Sequence, residues 1–502
     1  MTLPLAALLC ATVAFAQNDT AAKQQKKENL PSAPSAVLLS QQDEALGKPA
    51  GSGFTFKAPS TSTGPGGVAI EQPLDTPLRL TIDDAVSLGL ERNVRLVYDR
   101  AKQKTVRGEQ LSAVNALLPS LKAYASTNTE EINLAALGFS GKEVAKFGLN
   151  PADFPFIVKV DVTQAQMSVD QRLFDLPAYE LYRGAQREGV VVDLDVLTGR
   201  GDLVLAVGSA YLQVLADQTS LTDARAQEQS AKTLFSQATQ KRQAGVGTSL
   251  DELRAQVEYQ QRQQATIAAD NQLAKDIIQL NRIMGLPANQ KLELIDTAPF
   301  TELAQMDLDR AKETAYRHRK DLLSLEAQID VADREMRAVR YQRLPTVAFN
   351  GFYGVLGETT GLYHGVFTAQ GSVKFPIFRE AAQRGEEDQA NAQLTSLHQR
   401  VSDLRVTVDA QIRASMLDVQ SSDELVKVAQ SNVGLAQQVL SDARDRFAAG
   451  VDDNLAVVDA QASVTSAQAQ LVQALYQYNV AKLNLARNTG VIETRYRTYL
   501  GK

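Results

Sequence analysis

The chain has 502 residues, 44% of them hydrophobic and 6% aromatic, with no Trp. Its formal charge of −6, spread over 52 basic and 58 acidic residues, leaves no basic footprint for nucleic acid. A single cysteine, Cys10, excludes a disulfide framework and a thiolate metal centre. Met1–Gln17 reads as a secretory signal: apolar from Leu3 to Phe15 and closing on Ala14-Phe15-Ala16, a cleavage pattern that sets the leader at residues 1–16. The n-region lacks Lys and Arg, and Leu9 before Cys10 is not the small residue a lipid anchor needs. No later stretch approaches the roughly 18 consecutive apolar residues of a membrane helix, so an exported chain of this kind is soluble or enters a membrane as strands. Residues 17–77 are polar and rich in Gly, Pro, Ser and Lys, which predicts a flexible tail.

An internal duplication follows. Leu80-Thr81-Ile82-Asp83-Asp84-Ala85 opens a helical pattern, interrupted near Asn93, that runs to about Leu118 and meets Pro119. Met306–Ala311 opens a second copy that meets Pro345, and both Ala311 and Pro345 lie 226 positions after their counterparts. Gly245 and Gly450, like Gly285 and Gly490, are 205 apart, so copy one carries extra residues between Pro119 and Phe174. The repeats span 78–290 and 306–492, with a short tail at 493–502. Repeats of this size are duplicated half-proteins rather than solenoid units.

After each proline the period changes to two. Val347, Phe349, Tyr353 and Val355 alternate, as do Phe367, Ala369, Val373 and Phe375. In copy one Val158, Val160 and Val162 alternate, then the phase slips to Ala165, Met167 and Val169, which suggests a bulge. Two strands per copy, each long enough to cross a membrane when tilted, are expected, with about Glu130–Pro155 as a long loop in copy one.

The polar-amphipathic run Ala178–Ala244 would be about 100 Å long as a helix, too long for a lone globule. It ends at Ala244-Gly245-Val246, and its counterpart at Ala449-Gly450-Val451, each followed by a new helical run. Glycine supplies the left-handed C′ residue that ends a helix. Ser249 with Glu252 offers a capping box for the restart, and Asn454 a cap in copy two.

Helix, strand, strand, long helix, bend, helix, twice behind a leader, resembles the TolC-like outer-membrane efflux protein family (outer membrane factors). Leu80–Asn93, Leu117-Leu118-Pro119-Ser120, Leu344-Pro345-Thr346, Phe375-Pro376-Ile377-Phe378 and Arg446–Gln461 carry the resemblance. It implies a mainly α fold with a small β part: a homotrimer whose four strands per chain share a 12-stranded transmembrane barrel above a hollow α-barrel in the periplasm. Gly245 and Gly450 would be the hairpin tips, closed until a periplasmic membrane-fusion adaptor and an inner-membrane transporter dock. Pro376 would be a strand–helix elbow; copy one has Arg172-Leu173-Phe174 there, with Pro177 displaced.

Asp459, Asp452, Asp453, Asp251 and Glu252 lie near the bends, where a threefold axis would make them carboxylate rings that gate and select cations. Asp251 and Asp459 fall where the family carries acidic residues; Ala456 and Asp452 depart from the pattern, and Phe447 stands where some members have Tyr. The competing reading is that these carboxylates only favour helix N-termini. His318, His364 and His398 are far apart without metal-site spacing, and no nucleophile elbow or phosphate loop has its context, so no enzyme, cofactor or metal is expected. The expected role is a passive exit duct contacting outer-membrane lipids, in an efflux pump or type I secretion system. The rival is an exported coiled-coil scaffold or adaptor, which requires short connectors at 120–170 and 346–376.

Overall fold

The computed structural model describes residues 76–501 except 137, 297–299, 305, 360, 450, 452 and 453. The expected leader, Cys10 and nearly all of the expected tail therefore lie outside the described residues.

In copy one the order is β1 (Leu78–Leu80), α1 (Ile82–Arg92), α2 (Val94–Asn115), β2 (Ser120–Asn133), α3 (Gly141–Lys146), β3 (Ile157–Phe174), α4 (Leu176–Gln243) and α5 (Ser249–Met284). The link between the copies carries β4 (Leu292–Leu294), and copy two runs α6 (Leu308–His318), α7 (Lys320–Tyr341), β5 (Thr346–Glu358), β6 (Tyr363–Lys374), α8 (Glu380–Ala448) and α9 (Asn454–Asn488), followed by α10 (Ile492–Leu500). α4 and α8, with 68 and 69 residues, are each about 100 Å long. Each packs along shorter helices end to end: α4 against α2, α5 and α7, α8 against α6, α7 and α9.

Both short-helix pairs break at the same place in the repeat. Thr81 caps α1 in a reciprocal box with Asp84, and its hydroxyl holds the Asp84 carboxyl below the usual range. At the break, fully buried Asn93 accepts from Arg95 N at 2.9 Å to cap α2 and donates to Ile283 O at 2.9 Å. Arg319 holds the equivalent place, paired with Asp321 at 2.6 Å and donating to Gln411 at 2.6 Å. Gly285 (φ +77°) and Gly490 (φ +75°) end α5 and α9 against these breaks; a Cβ would stand 2.9 Å from Arg92 O and 2.7 Å from Arg319 N. Glycine is the residue that fits both the left-handed turn and the contact.

The main core surrounds this level. Leu80 and Val86 pack with Val204, Val207, Tyr211, Leu280 and Leu483, and the parallel pair β1–β4 ties the start of copy one to the link between the repeats. Residues 493–502, expected as a tail, are mostly helix α10, whose Tyr496, Tyr499 and Leu500 are buried in that core. Their apolar 3–4 spacing decides against a tail. Below, fully buried Lys482 donates to Thr301 O at 3.2 Å and lies 4.4 Å from the Tyr478 ring, and burial pushes its ammonium down to about 8. Asp217 on α4, also buried, is pushed up to about 7 by burial and by Asp276 of α5, against a 3.0 Å bond from Gln213.

Candidate functional site

The four long strands form one antiparallel sheet in the order β2-β3-β5-β6. β2–β3 runs without a slip from Ser120↔Asp170 to Asn133↔Ile157. The bulge expected near Val162 is absent there; the pairing shifts instead between Arg172 and Phe174 against β5. The phase change in the sequence is a change of face: apolar residues move from the even to the odd positions of an unbroken strand.

Register then fixes two chemically distinct faces. Leu121 stands opposite Val169, Met167 opposite Tyr353, and Tyr353 opposite Phe367. Leu121, Met167, Tyr353 and Phe367 are 53–76% exposed and Val169 is half-buried among them, so they form an apolar belt open to its surroundings. On the other face Lys122 reaches Asp170 at 3.4 Å and Asn350 donates to the same carboxylate at 2.7 Å; Gln164 donates to Ser126 at 3.1 Å. β5, with 13 residues, rises roughly 30 Å at a tilt near 40°, enough for an apolar band of roughly 25 Å. Among the described residues β2 and β6 each have one edge without a strand partner.

At the lower end the strands run into the long helices. Pro376 lies in the connection 375–379, beside Phe375, Ile377 and Phe378, which are 60%, 90% and 96% exposed. In copy one the elbow is a single residue: Asp175 pairs with Arg172 at 2.9 Å and caps α4 through Ala178 N at 2.9 Å. Pro177 sits in the first turn, where its missing N–H costs nothing.

At the other end of α4, Gly245 takes φ +76°. Its N–H donates to Arg242 O and that of Val246 to Lys241 O, both at 3.0 Å, the Schellman pattern. A Cβ on Gly247 would stand 2.9 Å from Arg242 N, so the bend is closed by two glycines for two reasons. The cap of α5 is Thr248, one residue before the expected Ser249: its hydroxyl accepts from Asp251 N at 3.1 Å and donates to the Asp251 carboxylate at 2.6 Å. Glu252 instead pairs with Arg242 across the bend, and the guanidinium holds its carboxyl below the usual range. Asp251 and Glu252 thus both make contacts within the bend. Asp459 on α9 is exposed; Gly450, Asp452 and Asp453 lie outside the described residues. In copy two Val451 N donates to Arg446 O at 3.1 Å. Ala456 and Phe447 pack on the cluster of Leu440, Ala443 and Val457.

Reading by residue type overlooked the ties between the repeats. Arg444 of α8 donates to Ser230 of α4 at 2.7 Å and to Gln461 of α9 at 3.0 Å. Gln227 of α4 donates to Gln468 of α9 at 3.0 Å. Polar residues recurring inside a helical seam were the one available signal. Among the described residues no helix is long and apolar enough to cross a membrane.

The family model for outer membrane efflux proteins matches residues 85–286 and 312–491. The alkaline protease secretion protein AprF of Pseudomonas aeruginosa is 26% identical over 438 residues, covering 83% of this chain and 87% of that protein. The outer membrane protein TolC of Escherichia coli is 20% identical over 349 residues, 67% and 71% of the two chains. The Campylobacter jejuni CmeC outer membrane channel superposes with a TM-score of 0.70 at 13% identity, over 82% of this chain and 86% of that one. With both repeats matched by its model, this chain belongs to the outer membrane efflux protein family.

Proposed function

We propose that three copies close their sheets, four strands each, into one 12-stranded barrel in the outer membrane, forming the exit duct of an efflux pump or type I secretion system. The sheet carries this proposal. It is apolar on one face and polar on the other, and among the described residues its two edges lack partners, a state not viable in lipid unless other chains complete it. Two exposed stripes support assembly: Leu417, Leu425, Val428 and Leu435 on α8, and Leu253, Val257, Ile267 and Ile278 on α5. Joined between copies, they would wall a hollow helical tube continuing the barrel into the periplasm.

The duct works passively. The bends at Gly245 and Gly450 are its periplasmic tip, opened when an adaptor and an inner-membrane pump dock; Asp459, with Asp452 and Asp453, would line the constriction. A scaffold without a pore is not favoured, because it has no use for 12–18-residue strands with an apolar face. Purified outer-membrane fractions should hold a heat-stable trimer that conducts ions in planar bilayers. A soluble, non-conducting periplasmic monomer would overturn the proposal.

A further inference from the structure

We propose that α8 of each chain receives α5 of its neighbour in the same register in which α4 receives α9 within the chain. This rests on the threefold assembly proposed above and supplies what strand closure leaves open, the residues that meet between chains along the helical tube.

Toward the bends the contacts put α9 between α8 and α4, and α4 between α9 and α5. The middle seam, α4 on α9, has a definite register. Gln227 donates to Gln468 at 3.0 Å and Ser230 to Gln461 at 3.4 Å. Leu212, Ala216 and Thr219 share one small cavity with Val472, Tyr476 and Asn479.

The repeat offset of 205 residues, which carries Gly245 onto Gly450 and Gly285 onto Gly490, also carries α4 onto α8 and α5 onto α9. The outer faces of α8 and α5 are therefore second editions of the two sides of that seam. Their exposure is opposite. Leu212 is 3% exposed and its counterpart Leu417 66%; Leu483 is 1% exposed and its counterpart Ile278 49%. Ile267, at 66%, repeats half-buried Val472, and Val439, at 56%, repeats half-buried Leu234. Apolar residues thus recur at the seam positions of both copies, yet only one seam is closed inside the chain. The two bare stripes lie on the two outer helices, so they can cover each other head to tail, and a heterologous contact of this kind closes a ring.

The offset assigns the contacts. Asn432 meets Gln263 where Gln227 meets Gln468, and Leu417 meets Ala274 where Leu212 and Asn479 line their cavity. Next to Leu417 and Ala274 stand Asp418 and Lys275, neither with an ion partner among the described residues, so opposite charges come to one level across the seam. Arg413 stands where Gly208, lacking a Cβ, admits Leu483. The seam between chains is accordingly wider at that level and closes from Leu417 toward the bends. A helix of another protein laid on α8 would be the poorer occupant, because it leaves the matching stripe of α5 bare.

The experiment uses the full chain with Cys10→Ser, which removes its single cysteine. Asn432→Cys/Gln263→Cys should be joined by a short bifunctional thiol reagent into a covalent ring, read as a shift from the one-chain to the three-chain band on a denaturing gel. Asn432→Cys/Ala274→Cys, eleven residues or about 16 Å out of register, should stay in the one-chain band. An intact trimer in which the first pair stays unlinked, or the second pair links, overturns the register while leaving the barrel standing. Free alkylation of Asn432→Cys by a bulky maleimide in the intact trimer overturns it too, because the stripe is then open to another partner. Absence of a trimer in the unsubstituted protein overturns the barrel, and this seam with it.

Discussion

Lys241 Nζ on α4 lies 3.8 Å from the centre of the Phe447 ring on α8, so the two long helices, one from each repeat, are clasped just before their bends. Such a contact is worth about 0.5–1 kcal/mol where water reaches it. Phe447→Leu keeps the apolar packing on Leu440 and Ala443 but removes the ring face. We expect a two- to five-fold higher resting leak per chain, read as basal conductance without adaptor, with unchanged trimer yield. An unaltered leak would show that the clasp does not hold the tip.

Asp217 gives the helical part a pH dependence of definite sign. Its carboxyl is raised from 3.8 to about 7, by burial first and the neighbouring Asp276 second. Between those values the native chain holds a proton that the unfolded chain has lost, so the stability present below pH 3.8 falls as pH rises and is gone above about 7. Tyr476, the third titratable group there, is itself raised by burial and by both carboxylates, and stays neutral over this range. Asp217→Asn should stabilise the protein by roughly 2–4 kcal/mol at pH 8 and leave it nearly unchanged at pH 4. Thermal melts at both pH values check the difference.

The two faces of the sheet predict opposite outcomes one residue apart. Met167→Arg puts a charge in the apolar belt and should cost about 2–4 kcal/mol, lowering trimer yield and the urea midpoint in detergent. Gln166→Arg, on the polar face, should assemble normally and shift selectivity toward anions.

Asp459 is exposed on α9, four residues past Leu455. If its three copies ring the constriction, Asp459→Asn should lower the cation-to-anion permeability ratio at least two-fold. Reversal potentials in a salt gradient measure it, and an unchanged ratio removes Asp459 from the constriction.

The architecture was legible wherever a period or a repeated landmark wrote it. Pro119 and Pro345, Gly245 and the interruption at Asn93 all mark real ends or breaks, because proline and left-handed glycine admit few alternatives. Strand face was harder. The slip between Val162 and Ala165 looks the same in one dimension whether the backbone bulges or the surroundings change, and only the pairing with β2 distinguishes them. The cap at Thr248 was displaced by one residue because Thr248 and Ser249 are equivalent by type. Glu252 was legible as a helix-start acid but not as the partner of Arg242, which depends on how sharply the chain turns at Gly247. α10 was missed because nine residues are too few for a periodic signal to stand out.

The seating of α10 beside α1 sets an order on biogenesis. Tyr496 donates to Asp83 at 2.6 Å, Arg497 pairs with the same carboxylate at 3.0 Å, and Leu500 shares its cluster with Leu80 and Ile82. A polypeptide threaded through an export channel from its amino end would present Leu80 some 400 residues before the surface that must cover it. Most of the chain must therefore wait, unfinished and sticky, until α10 emerges. Holding chaperones on the far side of the inner membrane, and nonsense mutations that are lethal to the fold even when they fall as late as codons 492–500, are what such a late-closing design demands.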